Sequence, residues 1–389
     1  MRILTFTSLY PNAAMTSRGV FVENRLRHLL EDTDIESQVV APIPWFPFSK
    51  YVNDEYREFS QAPYHETRHG ISITHPRYLH LPKVGMLLQP VFMAISALPV
   101  IRKMIKRGYD FDLIDAHYFY PDGVAAAFLA KWLKKPFVIT ARGTDLNLIP
   151  RYKLPRMLIR YAATRASGLI TVCRALKDVL VELGIDGRKV VPLRNGVDLQ
   201  MFRPPEDREN LRKQLGIAGK TLLSVGYLIE RKGHNFTIEA LKYLPDVSLL
   251  IAGTGPEQNN LQAQIQALGL AERVKLLGSV SHERLKDYYG AVDIMVLASS
   301  REGWANVLLE SMACGTPVVA TDIWGTPEVV ACPEAGVLVK RDARSIADGI
   351  TRLFEDYPDR TLTRKYAEQF SWHDTSLGQR ELFASVVSS

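Results

Sequence analysis

Cysteine is scarce. The 389-residue chain has three, Cys173, Cys314 and Cys332, widely spaced and with no C-x-x-C pair among them. That excludes a disulfide framework and a zinc knuckle, and fits a reducing compartment. The first residues, Met1-Arg2-Ile3-Leu4-Thr5-Phe6, lack the pattern of a signal peptide, because polar residues and Pro11 follow with no small-residue cleavage site. No strand–G-x-G-x-x-G–helix unit occurs, which disfavours a dinucleotide-dependent oxidoreductase. There is no internal repeat and no low-complexity tract. One uncharged run stands out, Val84–Ile101, but Gly85, Gln89, Pro90 and Pro99 interrupt it. A spanning helix needs about 20 mostly apolar residues, so a buried or interface-lying helix is expected there.

What is present describes a globular protein. Hydrophobic residues make up 47% and charged residues 23% of the chain, which excludes a disordered chain. Its length exceeds the roughly 250–300 residues at which a single core stops growing, so two domains are expected. The net charge of +6 is unevenly spread: residues 1–200 carry 27 Lys/Arg against 18 Asp/Glu, and the remainder 21 against 24. The excess in the first half reads either as solvated faces or as a half that meets something anionic. Nothing points to nucleic acid.

Strand-like and helix-like runs alternate. In the first half, strands are expected at Arg2–Ser8, Gln38–Pro42, Leu113–Ala116, Phe137–Thr140 and Leu169–Val172, with helices at Phe21–Leu30, Gly123–Leu133 and Ala175–Leu183. The second half restarts the pattern with strands at Thr221–Val225, Ser248–Ala252, Val274–Leu277, Ile294–Ala298 and Pro317–Thr321. Its helices are expected at Phe236–Leu244, Glu257–Leu268, Leu285–Tyr289 and Val307–Cys314. Such alternation indicates parallel sheets covered on both faces. Two series joined near Asn195–Pro205 imply an α/β protein of two doubly wound, Rossmann-like domains facing across a cleft. Ligands of these sheets bind outside the carboxyl ends of the strands, so chemistry is sought in the loops that follow strands.

The strongest constellation is Ser299-Ser300-Arg301-Glu302-Gly303-Trp304-Ala305-Asn306-Val307-Leu308-Leu309-Glu310. Glu302 falls in a strand-end loop, and a helix starting near Ala305 carries Glu310. Free N–H groups at a helix start suit a phosphate, and two carboxylates suit pairs of sugar hydroxyls. The plain alternative is an acid favouring the helix dipole plus a solvated Glu. Arg231 and Lys232 follow another strand, where adjacent cations can neutralise a diphosphate or simply be solvated. Ala252-Gly253-Thr254-Gly255-Pro256 reads equally as a tight turn or a ligand loop. In Leu277-Gly278-Ser279-Val280-Ser281, exposed backbone could read a base edge. In the first half, Gly19 of Thr16-Ser17-Arg18-Gly19-Val20-Phe21 would let backbone approach a phosphate or serve an ordinary N-cap loop. His117 ends a strand and is either a structural hydrogen-bonder or a ligand contact. Arg142-Gly143-Thr144-Asp145 is placed similarly.

Glu302 and Glu310, Arg231-Lys232, Arg194-Asn195-Gly196-Val197-Asp198 and Ala313-Cys314-Gly315-Thr316-Pro317-Val318-Val319-Ala320 together resemble the retaining family 4 glycosyltransferases of GT-B fold. The resemblance spans nearly the whole chain. The first half looks most like bacterial exopolysaccharide or cell-wall polymer transferases. The resemblance implies that Arg231 and Lys232 hold a donor diphosphate, helped by the Gly19 backbone, and that Glu310 binds ribose hydroxyls. It further implies that Glu302 and the backbone of Gly303, Trp304, Ala305, Asn306 and Val307 hold the donor sugar and distal phosphate. Val280 would meet the base through its main chain, and His117 would sit beside the donor sugar. Trp304 and Ala305 stand where Phe and Gly are commoner, Tyr227 where Arg is frequent, and Arg142 where His is common.

On this reading Glu302, His117, Arg231 and Lys232 form the catalytic group. The donor is a nucleotide-diphosphate sugar, UDP by family weight, acting as co-substrate with no cofactor and no metal. The acceptor is a saccharide or lipid-linked saccharide of bacterial polysaccharide biosynthesis. The domains are expected at 1–197 plus 371–389, and at 198–370. The protein is expected in the cytoplasm, peripheral on the inner face of an anionic membrane, because Arg102, Lys103, Lys106 and Arg107 follow the uncharged run and Arg151, Lys153, Arg156, Arg160 and Arg165 come later, the last four at roughly helical spacing. Two other readings stay open: a sugar-nucleotide epimerase of the same architecture, and a catalytically silent binding or scaffold homologue.

Overall fold

The computed structural model describes residues 1–16, 18–47, 54–80 and 87–388. Ser17 of the Gly19 loop and residues 84–86 of the uncharged run therefore lie outside the described residues. The chain divides into two compact units, Met1–Arg194 with Trp372–Ser389, and Asn195–Ser371.

The first unit is built on an eight-stranded sheet. Its spatial order is Val190–Pro192, Gly168–Thr171, Phe137–Ala141, Leu113–His117, Arg2–Phe6, Glu36–Val40, Ile71–Thr74 and His65–Arg68. Only the last pair, at the edge, is antiparallel. The central strands Leu113–His117 and Phe137–Ala141 are buried at every residue, as parallel strands covered on both faces must be. The edge hairpin escapes a reading by hydrophobic period, because His65-Glu66-Thr67-Arg68 has no apolar residue. The C-terminal helix Trp372–Val387 packs on the helix Val20–Asp32. Its Phe383 and Val386 enter the core with Leu26 and Val138.

The second unit holds a six-stranded, wholly parallel sheet. Its order is Val274–Gly278, Val247–Ala252, Lys220–Val225, Ile294–Leu297, Val318–Thr321 and Gly336–Val339. Leu222, Leu249, Ile251, Ile294, Val296, Ile346 and Ile350 form its core. The helix expected at Phe236–Leu244 is shorter than its apolar pattern suggests. It runs His234–Ala240 and tightens into a 3₁₀ turn, Leu241–Tyr243, because Pro245 disfavours helical backbone at Leu244.

Each sheet reverses its strand order once beside its first strand. The reversal lies between Arg2–Phe6 and Leu113–His117 in one unit, and between Lys220–Val225 and Ile294–Leu297 in the other. At such a point the crossovers leave on opposite faces, and a crevice opens at the carboxyl ends of the strands. The segments there are 7–16, 18–19 and 118–123 in the first unit, and 226–233 and 298–305 in the second. The topology thus gathers the loops that carry Arg231, Lys232 and Glu302.

Among the described residues of the uncharged run, the α-helix begins at Gln89, with Pro90 in its first turn, where a missing N–H costs nothing. The helix continues through Arg102 and Lys103 to Lys106 and buries Met93, Ala94, Ala97 and Ile101. No described helix is long and apolar enough to cross a membrane.

Candidate active site

Glu302 is the hub of the second unit's crevice. Three donors converge on its Oε1: Lys232 Nζ at 2.7 Å, Ser299 Oγ at 2.7 Å and Arg231 at 3.4 Å. Arg231 also donates to the Arg301 carbonyl at 2.8 Å. Burial is the largest single influence on the Glu302 pKa and works to raise it, but the Lys232 and Arg231 charges and the hydrogen bonds act against it. Together these hold the carboxyl below its ordinary value. Among the described residues nothing donates to Oε2, so that oxygen remains open to a ligand hydroxyl. The loops themselves are tied. Ser300 N donates to the Arg231 carbonyl at 2.8 Å, and Arg341 reaches the Ala298 carbonyl at 3.0 Å and the Glu230 carbonyl at 2.7 Å.

Gly233 closes the Arg231–Lys232 turn at φ 69°, and a Cβ there would stand 2.1 Å from the Ala298 carbonyl oxygen. Only glycine fits both the left-handed backbone and the close approach. Gly233→Ala is therefore expected to cost about 1–3 kcal/mol of stability and to weaken donor binding by displacing both cations. Thermal melts with and without UDP check this. An unchanged melting temperature and an unchanged UDP shift would refute it.

Glu310 lies on the helix Asn306–Ala313 with both oxygens engaged. His282 Nε2 donates to Oε1 at 3.1 Å, and the Tyr289 hydroxyl donates to Oε2 at 3.1 Å. The hydrogen bond to Glu310 raises the His282 pKa against its burial. Burial pushes the Tyr289 hydroxyl far up, and the Glu310 charge adds to it, so it stays protonated and donates. Phe202 packs edge-on against His282 at 5.1 Å and against Tyr289 at 6.0 Å. Neither His282 nor Tyr289 was among the residues expected from sequence. The signal was their i, i+7 spacing on one helix facing the Glu310 helix.

The remaining expected residues divide. Gly303, Trp304 and Ala305 are buried, and the Trp304 ring packs on Phe370 at 6.0 Å, so this stretch offers backbone rather than an indole face. Asn306 is steadied by the Asn195 amide at 3.3 Å. Val280 is half-buried just past the strand Val274–Gly278. The Gly253-Thr254-Gly255 loop is spent on packing: Gly253 N donates to the Gly278 carbonyl, and Leu228 N to the Thr254 carbonyl. Gly19 and His117 belong to the first unit. Gly19 is at φ 72°, and a Cβ there would meet the Leu9 carbonyl oxygen at 2.3 Å, so the chain's own backbone already requires glycine. His117 is buried, with Nε2 on Asp115 at 3.0 Å and Nδ1 taking a hydrogen bond from Arg142. Gln379 extends the network, donating to Asp115 at 3.2 Å and accepting from Arg25 at 2.8 Å.

The profile for Glycosyltransferase Family 4 matches residues 25–201, and that for Glycosyl transferases group 1 matches residues 207–370. The chain is 30% identical over 358 residues to the putative teichuronic acid biosynthesis glycosyltransferase TuaC of Bacillus subtilis, across 90% of this chain and 89% of that protein. The chain belongs to the family 4 glycosyltransferases. Solved structures give this glycosyltransferase its fold, GT-B. Sucrose-phosphate synthase from Thermosynechococcus elongatus superposes with a TM-score of 0.79 at 19% identity, over 100% of this chain and 99% of the other. Anabaena HepE in complex with UDP superposes at 0.76 with 22% identity, over 99% and 100%. In this glycosyltransferase, Arg231, Lys232 and Glu302 thus sit at the topological switch point of the unit matched by the group 1 profile.

Proposed function

We propose that this glycosyltransferase moves a sugar from UDP-sugar to a saccharide or lipid-linked saccharide, with retention of configuration and without a metal. We place it in the synthesis of a bacterial surface polysaccharide at the cytoplasmic side of the membrane. The observation that carries the reading is the convergence of Lys232, Arg231 and Ser299 on one oxygen of Glu302, with the other oxygen open. The solved complex of HepE with UDP supports the nucleotide, and the similarity to TuaC, a putative teichuronic acid biosynthesis glycosyltransferase, supports an anionic wall polymer.

In the reaction the anomeric C–O bond to the diphosphate breaks and the acceptor oxygen bonds to the same face of the sugar. The leaving phosphate takes the acceptor proton, so no protein nucleophile is assigned. Negative charge grows on the diphosphate as the bond breaks. Fixed cations aimed at that charge lower the barrier more than they lower the ground state. Lys232 has three N–H donors, so it can keep Glu302 and reach a phosphate oxygen together. Glu302 orients sugar hydroxyls through Oε2, and the backbone of 303–307 at the helix start takes the distal phosphate. Glu310, fixed by His282 and Tyr289, binds the ribose hydroxyls, and the Val280 main chain meets the base.

A thermal-shift panel of nucleotide sugars tests the donor, since a specific ligand raises the melting temperature with occupancy. A UDP-sugar should give the largest shift, and no shift with any nucleotide sugar would overturn the reading. Product analysis with and without acceptor separates a transferase from an epimerase, which would convert the sugar with no acceptor present. Because Arg231 and Lys232 supply the counter-charge, turnover is expected to survive EDTA. Loss of activity in EDTA and its return with magnesium or manganese would remove the metal-free assignment.

A further inference from the structure

The first unit carries a surface that the donor chemistry does not use. Its chain crosses the sheet repeatedly in one direction, from Ile71–Thr74 to Leu113–His117 to Phe137–Ala141 to Gly168–Thr171. Right-handed crossovers then put the intervening helices on one face. These helices, Gln89–Lys106, Val124–Leu133 and Lys153–Arg165, pack side by side. They contain three, one and four Lys/Arg respectively, and no Asp or Glu at all. A solvated helix ordinarily mixes both signs, so three adjacent helices without an acid form a strongly one-signed face. Arg102, Lys131, Lys153 and Arg156 are exposed, and none is in an ion pair among the described residues.

The same face exposes large apolar side chains. Ile95 on the first helix is 55% exposed, Trp132 on the second 40%, and Tyr152, Leu154 and Met157 at the start of the third are 55%, 50% and 57% exposed. Apolar residues stand among the cations rather than under them: Tyr152, Leu154 and Met157 alternate with Lys153 and Arg156. Neither half of this pattern suits water alone. Cations beside exposed aromatic and aliphatic side chains fit an anionic bilayer surface, where the charges meet headgroups and the apolar groups enter the acyl boundary.

We infer that this three-helix face docks the protein reversibly on an anionic lipid bilayer, with Tyr152, Leu154 and Met157 as the inserted residues. The contact keeps the cations expected from sequence and extends the apolar part beyond the uncharged run. The uncharged run buries Met93, Ala94, Ala97 and Ile101 but leaves Leu87, Leu88 and Ile95 exposed, and the start of the helix Lys153–Arg165 adds the inserted residues. The proposal names the surface on which the transferase reading would find a lipid-linked acceptor, and rests on that reading for this purpose alone.

The test is co-sedimentation of the full chain with vesicles of phosphatidylglycerol and phosphatidylcholine, against phosphatidylcholine alone, at low and high salt. The protein should pellet with the anionic vesicles at low salt and be released by high salt. Lys153→Glu with Arg156→Glu should lower partitioning by roughly tenfold or more, and Tyr152→Ser with Met157→Ser should lower it at constant charge. Equal recovery in the supernatant with both lipids overturns the proposal. Undiminished binding of the charge-reversed variant does so too. A serine variant that binds like wild type makes the face a site for soluble polyanions and also overturns bilayer docking. The UDP thermal shift of each preparation is read in parallel. A lost shift with retained vesicle binding would count against the transferase reading, and the reverse against docking.

Discussion

Lys232→Ala is expected to weaken UDP-sugar binding by about 1.5–3 kcal/mol, roughly ten- to a hundredfold, the scale of a hydrogen bond to a charged group. Its Nζ lies 2.7 Å from Glu302 Oε1, and the Lys232 stem lies beside Gly226, where a Cβ would be 3.3 Å from Lys232 Cδ. The ammonium is therefore held in place before any ligand arrives, and its loss removes preorganised charge. Two companion variants give the site its signature. Glu310→Gln should weaken UDP and UDP-sugar alike, because the proposed donor pose puts it on the ribose. Glu302→Gln should leave UDP nearly unchanged and weaken only the contribution of the sugar. Calorimetry with both ligands reads the pattern. Unchanged affinity in all three variants would remove the donor site from this crevice. The two carboxylates swapping roles would reverse the orientation of the donor.

The predicted loss depends on where the chain puts its loops, and that much could be read from sequence. The central strands announce themselves because parallel strands are buried on both faces and so appear as unbroken apolar runs, as in Leu113-Ile114 and Ile294-Met295-Val296-Leu297. Once their ends were located, Glu302, Arg231 and Lys232 fell into strand-end loops, and the structure brings all three within hydrogen-bond reach. The polar partners were not legible, because they are chosen by tertiary approach and leave no local pattern. Arg341 joins two loops from a distant part of the chain, and His282 and Tyr289 reach Glu310 from a neighbouring helix. Asp115, Gln379 and Arg25 meet only because the last helix packs on the helix Val20–Asp32. The edge hairpin, His65–Arg68 with Ile71–Thr74, was invisible for the opposite reason, since an edge strand needs little apolar surface.

The buried His117 network should show itself as an acid-sensitive share of stability. Burial is the main cause that lowers the His117 pKa to about 4, from the ordinary 6.5; Asp115 opposes the shift, and Arg142 and Arg25 add to it. The folded imidazole therefore stays neutral, accepting at Nδ1 from Arg142 and donating from Nε2 to Asp115. In the unfolded chain the same group takes a proton below about pH 6.5. Between those two values the unfolded state binds more protons, so stability falls as the pH falls. The full effect is about 3 kcal/mol, from a shift of roughly two and a half units at 1.36 kcal/mol each. Other groups titrate across the same range. Burial pushes Asp122 up to about 7, which works in the opposite sense, and burial lowers His234 to about 4 in the same sense. The difference between wild type and His117→Gln cancels them, because both proteins carry them. Denaturant unfolding of the pair should show the wild type losing about 3 kcal/mol relative to the variant between pH 6.5 and 4, with no relative change above pH 7. Parallel curves, or an imidazole that NMR finds titrating near 6.5, would refute the neutral network.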